Sequence, residues 1–275
     1  MIVRLVGSEM CIRDRATSGV EVEVRYAKSA ELAGTIVLEG AISPADIFFS
    51  QDPISLGVVA KEGLFETLPN DILVSVPSWA SDKKGYWVGT SGRSRSLVID
   101  TRDVTPEELP NDIYGLADEK FRNRLGLAPT NSSFIAMVSC MIELDGEEKV
   151  LDWLSSINSL DYTEYPKNSP QVAAADSGEL DIGMVNHYYT LRLLAENGDS
   201  SIKNVYLDSG CGAMVMPAGV GILSSSQNKT AAMAFIEFLH SKSVQEIFTN
   251  SLYEFPLVKG IEPNNLLPNL ENLNS

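Results

Sequence analysis

The run Leu180-Asp181-Ile182-Gly183-Met184-Val185-Asn186-His187-Tyr188-Tyr189-Thr190-Leu191-Arg192-Leu193-Leu194-Ala195-Glu196 decides the fold class. It opens as an apolar stretch of strand length, and from Thr190 onward its apolar residues recur at helical spacing. Asn186 to Tyr189 therefore marks the passage from a buried strand into a helix. Such junctions belong to open α/β sheets, whose ligands bind at the carboxyl ends of the strands. Adjacent tyrosines within a strand point to opposite faces, but at a strand-to-helix turn two phenols can converge on one small object. The competing reading is one core residue beside one surface residue.

The flanking chain repeats the alternation. Val20-Glu21-Val22-Glu23-Val24-Arg25-Tyr26 alternates as a strand with one covered face, Ser29 is placed to cap a helix through Leu32, Ala33, Ile36 and Val37, and Gly40 is placed to stop it. Ala45-Asp46-Ile47-Phe48-Phe49 predicts a second strand, and Pro53 starts a helix with Leu56, Val59, Ala60 and Leu64 on one side. Tyr86-Trp87-Val88-Gly89 and Ser96-Leu97-Val98-Ile99-Asp100 read as strands on either side of a turn, Thr90-Ser91-Gly92-Arg93-Ser94-Arg95. Past Pro106 and Pro110 a second lobe begins, with a short strand at Leu125-Gly126-Leu127-Ala128 and a helix carrying Phe134, Ile135, Val138, Met141 and Ile142. The next helix is expected to bury Val150, Leu151, Leu154 and Ile157. A Gly-rich strand from Gly212 to Leu223 returns to the first lobe, Ala231, Phe235, Phe238 and Leu239 form one amphipathic face, and Ser243-Val244-Gln245-Glu246 reads as a capping-box start.

Composition narrows the function. The 275 residues suggest two domains, and 44% hydrophobic with 21% charged residues is ordinary for a protein with a sizeable core. A net charge of −16 argues against nucleic acid or an anionic membrane as partner. No apolar run reaches the roughly 18 residues of a membrane span. Cys11, Cys140 and Cys211 have no metal-type spacing, and any two of them are free to pair. Gly-x-Ser-x-Gly, His-Glu-x-x-His and P-loop patterns are absent, and two histidines leave little for acid-base work, so the chain does not read as an enzyme. A regulatory module would carry a basic helix-turn-helix, which the acidic charge does not favour. Met184, Met214 and Met216 read as core, His187 as facing away from the tyrosines and His240 as a helix-surface residue.

Taken together, Pro44-Ala45-Asp46-Ile47-Phe48-Phe49, Ser91-Gly92-Arg93-Ser94-Arg95, Asn186-His187-Tyr188-Tyr189, Ala218-Gly219-Val220-Gly221-Ile222-Leu223 and Tyr253-Glu254-Phe255-Pro256-Leu257 are similar, in order and spacing, to ferric-iron-binding periplasmic proteins. These are the solute-binding components of iron ABC transporters, and the resemblance runs from Val20 to Pro263. It implies a two-lobe α/β fold of the periplasmic-binding-protein type, each lobe a mostly parallel sheet flanked by helices, with crossing hinge strands between them. The lobes are expected at residues 16–95 with 219–258 and at 96–218 with 259–275. The implied cargo is Fe³⁺ with phosphate or carbonate as synergistic anion, the implied partner a membrane permease, the implied state a monomer and the implied location periplasmic.

Carried over residue by residue, Tyr188 and Tyr189 match the paired tyrosinate ligands. Asn131, Ser132 and Ser133 match the anion site, Asn168 and Asn186 its lining, and Arg93 and Arg95 the arginine turn near the cleft. Each has a structural alternative: N-capping for Asn131 to Ser133, and neutralisation of Asp46 or Asp52 for the arginines. The chemistry agrees with the tyrosine assignment, because a phenol titrating near ~10 becomes a ligand only for a strong Lewis acid that prefers hard oxygen. Two phenolates leave a trivalent ion with about one uncompensated positive charge, which an anion at a helix N-terminus would balance. The alternative reading is a binding protein of the same fold for another solute, a polyamine, thiamine or a phosphorylated anion.

Two departures from the family stand out. Gln51 occupies the place where some members hold a carboxylate, with Asp52 beside it. At the start, Ser8-Glu9-Met10-Cys11-Ile12-Arg13-Asp14-Arg15 resembles a translated sequencing-adapter artefact, so residues 1–15 read as non-native. On that reading the first strand, its loop, the first helix and any signal peptide are missing.

Overall fold

The computed structural model describes residues 2–7, 21–198, 200–270 and 273. The chain divides into two units, residues 1–92 with 216–264 and residues 93–215 with 265–275. The passages fall earlier in both crossing strands than the expected positions 95 and 218, and the last falls at Asn264 instead of 258. Backbone pairing accounts for the first shift, since the Arg95 N–H donates to Met214 O and Arg95 sits in register with Asn186, both in the second unit.

Unit one opens with β1 (Ile2–Gly7), parallel to both β2 (Glu21–Tyr26) and β3 (Ile47–Ser50). The expectation of a missing first strand is thereby corrected: the β-branched residues of Ile2-Val3-Arg4-Leu5-Val6 favour extended backbone, and a full register from Ile2↔Glu21 to Gly7↔Tyr26 forms. Residues 8–20, which hold most of the artefact-like stretch, Cys11 and the place of a first helix, lie outside the described residues. α1 (Ser29–Glu39) has no side-chain cap; the Ser29 hydroxyl instead accepts the Gln51 N–H at 3.2 Å. Leu32, Ala33 and Ile36 of α1 pack with Phe48 of β3 and with Leu56 and Val59 of α2 (Pro53–Lys61). A short α3 (Asn70–Leu73) follows.

The expected pair of strands around a turn is instead one continuous strand, β4 (Val88–Asp100), buried at every residue. Thr90 to Arg95 is polar and glycine-containing, which in isolation is a turn signal. Here several of its polar groups find partners within each unit: Gln245 Nε2 donates to Thr90 O at 2.8 Å, Ser91 Oγ to Glu254 at 2.5 Å, and the Ser94 N–H to His187 Nδ1 at 3.1 Å. Tertiary partners override the local preference.

In unit two, β5 (Leu125–Leu127) is followed by α4 (Ser132–Asp145) and α5 (Glu147–Asn158), then β6 (Thr163–Glu164), α6 (Asn168–Ser177), β7 (Ile182–Asn186), α7 (His187–Asn197) and β8 (Ile202–Val205). β5 runs parallel to β6 and β7, whereas β4 is antiparallel to β7 and β8, so the sheet is mixed. Strand alternation splits the core. Leu97, Ile99, Ile182 and Met184 pack with Met137, Met141, Val150, Trp153 and Ile157 of α4 and α5, while Val98 and Val185 pack with Val172 and Ala175 of α6. Leu151 and Ile135, expected in the core, are exposed, and Trp153 and Met137 take the inward positions of those helices. Cys140 on α4 is bonded to Cys211, which opens a 3-10 turn.

The return to unit one is β9 (Val215–Ile222), antiparallel to β3. Then come α8 (Lys229–Leu239), α9 (Lys242–Asn250) and β10 (Phe255–Pro256), which pairs with β4 at Gly92 and Ser91. α9 starts after Ser241 without a side-chain cap, so the capping box expected at Ser243 does not form. His240 is also corrected: it is buried, with Nε2 3.0 Å from Gly89 O and Nδ1 3.1 Å from Ser75 Oγ.

Candidate functional site

The pairing of β4 with β7 places Arg95 opposite Asn186, the last residue of β7 and the N-cap of α7. From that register the site builds itself. Arg95 is fully buried, and its Nη1 donates to Asn186 Oδ1 at 2.9 Å and to Ser133 Oγ at 3.1 Å. Ser133 is held in turn by Asn131, which N-caps α4 by accepting the Ser133 N–H at 3.0 Å and the Ser133 hydroxyl at 2.6 Å. Asn168, the first residue of α6, donates to Ser133 Oγ at 3.4 Å. The starts of α4 and α7 thus meet one guanidinium, and the start of α6 joins them through Ser133.

This arrangement is electropositive for two independent reasons. α6, preceded by Lys167, has no side-chain cap, nor has α7, where the Asn186 Oδ1 accepts from Arg95 instead, so the positive ends of those helix dipoles remain unmatched by a cap. Arg95 adds a full charge whose burial is costly enough to push its pKa down to about 10. Its Nε and Nη2 reach no acceptor among the described residues. Buried donors of this kind are rare in native structures and call for a ligand or water. An oxyanion with several acceptor oxygens satisfies both features at once.

Asn131 is the N-cap of α4, as its structural alternative held. Ser133 has its hydroxyl proton committed to Asn131, which makes it a connector between Asn131, Arg95 and Asn168. Ser132 is exposed at the first turn of α4.

One residue past Asn186 the chain enters α7, and the phenols follow. The Tyr188 and Tyr189 rings lie 4.3 Å apart between centroids at 33°, with Tyr188 buried and Tyr189 half-buried. The core-plus-surface alternative therefore fails: the two rings share one place. Burial and the neighbouring Tyr188 hold the Tyr189 phenol well above its usual pKa, and the charges of Arg93 and Arg192 act in the opposite direction. His187 does not face away. Its ring is buried edge-on to Tyr188, at 5.7 Å and 87°, with Nδ1 3.1 Å from the Ser94 N and 3.3 Å from the Ser94 O.

Two guanidinium groups lie over the Tyr188 ring, Arg93 with Cζ 5.6 Å from the centroid and Arg192 with Cζ at 4.7 Å. Arg192 is the residue that sequence reasoning passed over. Its spacing, one helical turn beyond Tyr188, was the available signal. Tyr206, further along, packs against His187 at 6.3 Å.

Gln51 and Asp52 belong to unit one, at the carboxyl end of β3. Both Asp52 carboxylate oxygens accept from Ser55, Oδ1 from its N–H at 2.7 Å and Oδ2 from its hydroxyl at 3.1 Å, so Asp52 is the N-cap of α2. Asp46 accepts from Ser226 Oγ at 2.6 Å and from Asn228. Neutralisation of these carboxylates is thus not what holds Arg95. Among the described residues no group of three His, Cys, Asp or Glu side chains is placed to hold a metal. No helix of the described residues is long and apolar enough to cross a membrane.

Known proteins share this chain's sequence and fold. It is 36% identical to the major ferric iron-binding protein of Neisseria meningitidis serogroup B over 251 residues, 88% of this chain and 74% of that one. It is 32% identical to the Fe(3+)-binding periplasmic protein of Serratia marcescens over 262 residues, 94% of this chain and 77% of that one. Among solved structures, iron-bound HitA from Pseudomonas aeruginosa superposes with a TM-score of 0.92 at 27% identity, covering 99% of this chain and 91% of that one. A Trichodesmium FutA in complex with iron and citrate gives 0.82 at 25% identity, covering 97% and 90%. Residues 43–273 match the bacterial extracellular solute-binding protein family, and the chain belongs to it.

Proposed function

We propose that this chain is the extracytoplasmic solute-binding component of an iron ABC transporter, which captures Fe³⁺ together with an oxyanion and hands it to a membrane permease. The observation that carries the reading is the juxtaposition in unit two of paired phenols with a buried, donor-rich Arg95 at the starts of α4 and α7. Phenolate oxygens suit a hard trivalent cation, and the helix starts suit the anion that balances it. Tyr188 and Tyr189 are the metal donors in this account. Arg95, Asn131, Ser132, Ser133, Asn168 and Asn186 frame the anion, and Arg93 supplies positive charge beside Tyr188.

The Cys140–Cys211 disulfide supports an oxidising, extracytoplasmic compartment, as do the names of the relatives. Delivery to the permease and a monomeric state complete the proposal. Asp52 serves as the N-cap of α2 through Ser55, and the proposal assigns it no bond to the ion.

Equilibrium dialysis of Fe³⁺ against the metal-free protein, with and without phosphate or carbonate, tests the paired role. The expected result is tighter ferric binding when the anion is present and loss of that gain in Arg95→Leu. Equal binding with and without anion in the parent protein would contradict the anion half of the proposal.

A further inference from the structure

Around Tyr188 the side chains are packed unequally for its chemistry. Tyr189 lies 4.3 Å away, His187 meets it edge-on, and Arg192 places its guanidinium carbon 4.7 Å from the ring centroid, closer than Arg93 at 5.6 Å. Arg192 reaches this position from its own helix, because residues four apart on α7 share a face. A guanidinium over an aromatic face is attracted by the ring quadrupole, so the contact fixes the ring as well as charging its surroundings.

We propose that Arg192 is a positioning residue for the Tyr188 phenolate, holding the plane of its ring and limiting how strongly its oxygen donates electron density to Fe³⁺. The inference rests on the ferric reading above and extends it to a residue that makes no bond to the ion. The physical argument has two parts. A ring clamped against a helical neighbour loses little further freedom when the oxygen meets its ligand, which favours binding. A cation a few ångströms from the phenolate also opposes the departure of its electrons, because Coulomb interaction at this range is strong in a partly desolvated site.

The second part has a spectroscopic consequence. The visible band of a ferric phenolate comes from transfer of an electron from phenolate to iron, so a neighbouring positive charge raises the energy of that transition. Removal of the charge lowers the energy and moves the band to longer wavelength.

The test uses the full chain as parent, Arg192→Lys and Arg192→Leu, each titrated with Fe³⁺ in the presence of phosphate. The Leu variant is expected to bind at least tenfold more weakly with its band shifted to longer wavelength. The Lys variant, which keeps the charge and loses the planar contact, should keep the band near the parent position while losing part of the affinity. Near-ultraviolet circular dichroism of the metal-free proteins adds a readout without iron: the tyrosine signal should weaken in both variants while the thermal midpoint stays close to the parent value. A band in the parent that Arg192→Leu leaves unmoved, with parent affinity, overturns the role of Arg192 alone. No band in the parent overturns the ferric reading and this role with it.

Discussion

His240 illustrates how a single buried side chain carries a measurable consequence. Its imidazole is enclosed between Ser75 Oγ and the Gly89 carbonyl on β4, and burial pushes its pKa down from the usual 6.5 to about 4. The folded protein therefore keeps a neutral ring while the unfolded chain takes up a proton as pH falls through 6.5. Stability from this group is intact above that value, is lost progressively towards pH 4 and changes no further below it. The loss amounts to roughly 3 kcal/mol. Urea unfolding at pH 7 and pH 4 should show His240→Gln losing less stability on acidification than the parent, by a margin approaching that figure; parallel losses would contradict it. Nothing in the sequence marked His240 as buried, because a histidine at the end of an amphipathic helix looks like a surface residue until its partners on β4 are known. Tyr188 and Tyr189 were legible, since a strand-to-helix junction constrains where two adjacent rings go. That Arg95 joins Asn186 to Ser133 was not, because it depends on the register that sets Arg95 opposite Asn186 of β7.

At the level of elements, β9 explains why Ala218-Gly219-Val220-Gly221 holds two glycines. A Cβ on Gly221 would lie 2.6 Å from Phe65 Cε1 and 2.8 Å from Tyr86 O, and one on Gly219 would lie 2.9 Å from Val88 O. Backbone atoms cannot step aside as a side-chain tip can, so Gly221→Ala should destabilise unit one by about 1–3 kcal/mol. A thermal midpoint equal to that of the parent would show the strand yielding more easily than this packing implies. The disulfide ties α4 to the turn that precedes β9 across a sequence separation of 71. Closing a loop of that length restricts the unfolded chain enough to contribute roughly 4 kcal/mol in the chain-entropy account. Cys140→Ser with Cys211→Ser should therefore lower unfolding stability by about 2–4 kcal/mol, measured by denaturant titration, whereas unchanged stability would assign the bond no such effect. Three cysteines with long separations left the pairing open in the sequence. The polar middle of β4 was misleading for a related reason: its hydrogen-bond partners come from α7, α9 and the segment after α9, far along the chain.

For the whole molecule, the net charge of −16 and the positive surroundings of the tyrosines pull in opposite directions. The overall charge disfavours polyanionic partners, while Arg93, Arg95, Arg192 and the helix starts of unit two make one electropositive locality within an acidic protein. Family membership was legible because the motifs lie in order along the chain, and a family match over residues 43–273 agrees with that order. The start of the chain was less legible: a strand forms at Ile2–Gly7 where none was expected. The central claim is that Tyr188 and Tyr189 together bind ferric ion. Its most direct test is the visible absorption of the protein titrated with Fe³⁺ and phosphate, beside the double variant Tyr188→Phe with Tyr189→Phe and the control Tyr206→Phe. The account predicts a ferric-phenolate band in the parent and in Tyr206→Phe and none in the double variant; a parent-like band in the double variant would contradict it.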